Sequence, residues 1–79
     1  SEKNSNLSYM TSYVNLLVDI TDGGNPINLN VKKIFPSEMN SFGSRAIETV
    51  RTKKFRPKLI NRSPVLTTQF PMRVIIPNE

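Results

Sequence analysis

Cysteine, histidine and tryptophan are all absent from this 79-residue chain. Without cysteine there are no disulfides, no thiolate nucleophile and no zinc site built on thiolates. Without histidine the usual general base and the commonest metal ligand are missing too. Glycine is scarce at three residues, too few and too scattered to make a phosphate cradle. Long apolar runs are also lacking: the longest are Leu16-Leu17-Val18 and Val74-Ile75-Ile76, far below the roughly 18 residues a membrane span needs. No signal-peptide pattern opens the chain, so an anchor or export signal is expected outside this fragment. What remains is an ordinary globular composition, with 37% hydrophobic and 22% charged residues, enough for one small non-enzymatic domain.

The net charge of +5 is unevenly spread. Residues 32–62 hold nine basic side chains against Glu38 and Glu48, whereas the first 31 residues hold one lysine against three acids. Such a region steers toward nucleic acid, anionic lipid or an acidic protein surface, and it equally suits a solvated helix end.

Residues 1–11 are polar and aperiodic and read as a flexible lead-in with a short helical turn near Leu7 to Met10. From Tyr13 the pattern sharpens. Val14, Leu16, Val18 and Ile20 alternate with Tyr13, Asn15, Leu17 and Asp19, the period-2 signature of a strand with one buried face. Asp22-Gly23-Gly24-Asn25-Pro26 supplies a hairpin turn, and Ile27, Leu29 and Val31 mark the inward face of the return strand. Alternation breaks at Ile34-Phe35, which predicts a bulge or the strand's end. After Pro36, apolar residues at Met39, Phe42, Ala46, Ile47 and Val50 form a helical stripe. Ser37, Asn40 and Ser41 are equivalent cap candidates, and Gly43 weakens the first turn by up to about 1 kcal/mol. Arg51, Lys53 and Lys54 would complement the dipole in the last turn, and Pro57 prevents continuation. Asn61-Arg62-Ser63-Pro64 is a second turn signal, and Phe70, Met72, Val74 and Ile76 alternate to form a third strand. The expected fold is α+β: a three-stranded antiparallel sheet packed on one main helix, in the order β-β-α-β, over residues 12–79.

Little chemistry can be assembled from these side chains. Asp19 and Asp22 sit at the hairpin mouth, where stabilising the turn is the default, and Glu38 and Glu48 lie ten positions apart. Asp22-Gly23-Gly24 is too short for a calcium loop and lacks its closing Glu. No catalytic residue, metal site or cofactor is expected. The basic cluster is interrupted by one aromatic, Phe55, which would either stack on a base or anchor the core at the helix exit.

The helix exit Val50-Arg51-Thr52-Lys53-Lys54-Phe55-Arg56-Pro57, followed by Asn61-Arg62-Ser63-Pro64-Val65, resembles the C-terminal periplasmic domain of the TonB family. These proteins are energy transducers of Gram-negative bacteria. Together with Ser12-Tyr13-Val14 through Asp19-Ile20-Thr21, the glycine turn and the closing strand, the resemblance covers about residues 12–77. The chain departs from the family pattern at Lys53, where an aromatic Trp is usual, and at Ser12, where Gly is usual. The tyrosine-proline motif expected upstream would fall at Ser1-Glu2.

The resemblance implies binding of partners by strand addition. In the family the last strand pairs with the TonB box of an outer-membrane transporter, driving import of nutrients such as siderophores or haem. The other end of the transducer joins an inner-membrane proton-driven complex. The fragment would thus work in the periplasm, anchored to the inner membrane by a segment outside it. Pro71 must turn its missing N–H to an open edge, and parity then sends the backbone groups of Arg73 and Ile75 outward with it. These three are the expected partner-binding residues, with Lys53, Lys54 and Lys58 as the partner-steering cluster. Phe42, Val50, Phe55 and Pro57 are expected to be structural. Self-pairing of the same edge would give a homodimer. The alternatives are a TolA-type envelope-integrity domain, similar in architecture, and a basic nucleic-acid-binding module.

Overall fold

A computed structural model describes residues 11–77; the lead-in's expected helical turn near Leu7 to Met10 lies outside the described residues. The strand signature from Tyr13 gives β1 (Ser12–Ile20), with Val14, Leu16, Val18 and Ile20 all buried. The turn closes through a Thr21 N–H to Asn25 C=O bond of 2.9 Å, a Gly24 N–H to Thr21 C=O bond of 2.9 Å, and an Asn25 N–H to Thr21 Oγ1 bond of 3.0 Å. The chain returns as β2 (Pro26–Phe35), with proline at the one strand position where its missing donor costs least.

Two bulges interrupt the β1–β2 ladder. Asn15 pairs with Lys33 but Leu16 with Val31, leaving Lys32 unpaired; Leu17 pairs with Asn30 but Asp19 with Ile27. At the second bulge Asn28 adopts φ 53°, a left-handed conformation that asparagine tolerates. Each extra residue flips the alternation. Ile27, expected on the inward face with Leu29 and Val31, therefore lies opposite Asp19 and is 40% exposed. Lys32 absorbs the other flip, so of the two expectations for Ile34-Phe35 the bulge holds, and Ile34 packs against the core while the strand runs on to Phe35.

The helix α1 (Ser41–Arg51) starts at Asn40, whose side chain makes no capping bond, and buries Gly43, Ala46 and Val50. Met39, expected on the helical stripe, precedes the helix and is exposed. A Cβ at Gly43 would stand 3.3 Å from Ile34 Cδ1, so glycine there permits close approach of α1 to β2. Ala46 and Val50 join Val14, Leu16, Val18, Ile20 and Ile76 in one apolar cluster, edged by Leu29, Val31, Phe42, Phe55, Met72 and Val74. Fully burying each Val or Leu contributes about 1.5–3 kcal/mol, so this cluster is what a domain of this size has to offset its ordering entropy.

The helix ends earlier than its basic residues imply. Arg51 is its last residue and Thr52 its C-cap, with the Lys53 N–H donating to Val50 C=O at 3.0 Å. Only Arg51 is placed to complement the dipole. Lys53 and Lys54 lie beyond the helix, and α1 has stopped well before Pro57.

The expected β-β-α-β order, with three strands packed on one main helix, does not hold. The order is β-β-α-β-β-β, strand accounts for 52% of the structure, and the strands divide into a three-stranded and a two-stranded antiparallel sheet. The additional strands are β3 (Lys58–Ile60) and β4 (Ser63–Val65). They meet across Asn61 (φ 51°) and Arg62 (φ 69°), a two-residue loop with both central φ positive, as a type I′ hairpin requires. Three-residue strands are too short to show a period, and Pro64 argues against a ladder, which is why this segment reads as a turn alone. The closing strand β5 (Thr67–Ile76) pairs antiparallel with β1, giving the sheet order β2-β1-β5.

Candidate functional site

The two edges of the main sheet differ. On β2 two bulges break the register and Lys32 and Lys33 are exposed charges, devices that disarm an edge against strand pairing. On β5 the register runs unbroken from Phe70 to Ile76 against Val18 to Ser12. This stretch has no strand on its far side among the described residues. Met72 and Val74 pack against the core, while Pro71, Arg73 and Ile75 are exposed.

Pro71 pairs with Leu17, Arg73 with Asn15 and Ile75 with Tyr13. Proline has no N–H to give β1, so Pro71 occupies a position whose backbone groups face outward. Alternation puts Arg73 and Ile75 in the same class. These three residues are thus brought together along one open edge.

The sheet face opposite α1 is the part that sequence reading passed over. The Tyr13 and Phe35 rings stack at 5.3 Å between centroids with 19° between planes. The Arg73 guanidinium lies 3.9 Å from the Tyr13 centroid, and its Nε donates to Asn15 Oδ1 at 2.8 Å. Lys33 Nζ stands 5.7 Å from the same ring. A cation held over an aromatic contributes about 0.5–1 kcal/mol at an exposed site, and here it also fixes the side chain of an edge-strand residue.

Asp19 does more than hold a turn. Its Oδ2 accepts from Asn28 Nδ2 at 2.8 Å, and its Oδ1 accepts from the Gln69 backbone N–H at 2.8 Å. Asn28 and Gln69 (φ 52°) are the left-handed residues at the bulges on either side of β1. One carboxylate on the central strand therefore ties a bulge on each edge strand. The Asn28 hydrogen bond, then that of Gln69, hold its pKa below the ordinary 3.8.

The basic residues are not gathered into one patch. Lys53 and Lys54 are exposed in the segment after α1, whereas Lys58 opens β3. Lys58 and Arg56 line an open cleft of about 440 Å³ with Ile20, Phe55, Thr67 and Phe70. Phe55 is half-buried against the core, and its N–H donates to Gly24 C=O at 2.8 Å, tying the helix exit to the first hairpin. Phe42 is half-buried beneath Arg45, 5.4 Å from its ring; Val50 is fully buried and Pro57 half-buried.

No group of three or more Asp or Glu side chains converges among the described residues. The arrangement offers backbone donors and acceptors on an open edge, with one cation, Arg73, fixed over the adjoining sheet face. Compared with known proteins, the chain matches no family model, no curated protein and no solved structure.

Proposed function

We propose that this domain is the periplasmic receptor-binding module of a TonB-type energy transducer. In this reading it takes the TonB box of an outer-membrane transporter as an added strand on β5. The observation that carries it is the unbroken, unpartnered Phe70–Ile76 edge beside a β2 edge disarmed by bulges and lysines. Strand addition draws affinity from main-chain hydrogen bonds and needs no catalytic group. The transporter and the periplasmic setting come from the resemblance at the helix exit and closing strand. The inner-membrane, proton-driven complex would be reached through chain outside this fragment.

Calorimetric titration with peptides from the N-terminal segments of outer-membrane transporters tests the reading. Saturable binding of at least one such peptide at 1:1 stoichiometry is expected, abolished by Ile75→Pro. No binding by any of them, alongside tight binding of a single-stranded oligonucleotide, would replace this reading with a nucleic-acid-binding one.

A further inference from the structure

The β3–β4 hairpin is the least supported part of the molecule. Among the described residues its strands pair with each other and with no other strand. A lone two-stranded hairpin is marginal in water, yet this one leaves Leu59 61%, Ile60 50% and Leu66 52% exposed. Leu59 pairs with Pro64, so both side chains project from one face; Lys58, Val65, Ile60 and Ser63 project from the other. Apolar groups thus lie on both faces.

Charge accumulates at the same place. Lys58 and Arg62 lie in the hairpin and Arg56 just before it, and the sequence has no Asp or Glu from residue 49 to residue 78. Among the described residues the one ion pair is Glu48–Arg51, so none of these three cations has an ion-pair partner there.

We infer that the hairpin docks on an anionic phospholipid surface, with Leu59, Ile60 and Leu66 in the boundary between headgroups and acyl chains and Arg56, Lys58 and Arg62 at the phosphates. A flat protein surface would cover one face of the hairpin and leave the other in water, whereas a lipid interface surrounds both. A second copy meeting it face to face would bring the same three cations into opposition. Nucleic acid would be met by stacking aromatics, but the exposed apolar groups of the hairpin and its exit, Leu59, Ile60 and Leu66, are aliphatic, and Phe70 lies in the cleft beside Lys58 and not on the hairpin. Arg62, at the turn, keeps the insertion shallow, because a long cationic side chain reaches back to the phosphates. The inference goes beyond the transporter reading and needs no transporter.

The test is co-sedimentation of the 79-residue chain with vesicles of phosphatidylglycerol and phosphatidylcholine in equal parts, and with phosphatidylcholine alone. Binding to the anionic vesicles only is expected, weakened by salt, and reduced more than about tenfold by Leu59→Asp with Leu66→Asp. Lys32→Gln with Lys33→Gln, which removes two charges from the far β2 edge, should leave most of it. Since the chain has no cysteine, Leu59→Cys carrying an environment-sensitive dye gives a second readout: its emission should shift to the blue on anionic vesicles. Absence of binding, an unshifted dye, or binding indifferent to the leucine substitutions would overturn the inference. So would a lipid-free dimer that the same leucine substitutions dissociate.

Discussion

Gly24 and Asp19 show how much single positions decide here. Gly24 combines φ 86° with a backbone neighbour: a Cβ there would collide with the Phe55 carbonyl oxygen, while the Gly24 C=O accepts the Phe55 N–H. Gly24→Ala should therefore cost more than about 2 kcal/mol in urea denaturation, from left-handed strain and a clash with main chain that has little room to yield. Gly23 has nothing nearer than 3.7 Å to an added Cβ, and its alanine variant should stay within about 0.5 kcal/mol of wild type. Phe55 is only half-buried, so Phe55→Ala should fall below the 3–5 kcal/mol typical of a fully buried ring, at about 2 kcal/mol. Asp19 adds a pH signature. Its folded pKa lies below 3.8, so its contribution is complete above the unfolded value and is lost as pH falls through the folded one. Melting temperatures across the acid range should therefore decline less steeply in Asp19→Asn than in wild type. An identical decline would mean that the carboxylate does not hold the bulges.

At the scale of elements, β5 makes the sharpest distinction. Proline at an outward position removes an unused donor, whereas proline at an inward position removes a ladder bond to β1. Ile75→Pro should keep a cooperative melt and lose peptide binding; Val74→Pro should lose about 3 kcal/mol or more and largely unfold. The basic residues affect rate more than grip: neutralising Lys53, Lys54 and Lys58 together should lower the on-rate for an acidic partner at low salt and leave the off-rate nearly unchanged. Much of this layout was legible. The alternation of Val14, Leu16, Val18 and Ile20 marks β1 because one buried face needs a strict period of two. Phe42, Ala46 and Val50 mark α1 for the corresponding reason. The break at Ile34-Phe35 announced the bulge at Lys32, but those at Asn28 and Gln69 were not legible, since the backbone of Gln69 is held by Asp19 fifty positions away. Nor was the β3–β4 hairpin, whose strands are shorter than any period that could announce them.

For the molecule as a whole, among the described residues, the main sheet has one face closed by α1 and one open, one edge disarmed and one without a neighbouring strand. The open face escaped sequence reading although alternation already placed Tyr13, Asn15, Leu17 and Asp19 together, because only the β1–β5 register brings Arg73 over Tyr13. The asymmetry of the edges makes a peptide-binding account specific, and backbone amide exchange reads it most directly. At a concentration where sedimentation gives a monomer, the amides of Arg73 and Ile75 should exchange fast in the free domain while those of Met72 and Val74 are protected. Adding a TonB-box peptide that binds should protect Arg73 and Ile75 as well. Protection of Arg73 and Ile75 in the free monomer, or no change in either on saturation with the peptide, would contradict the account.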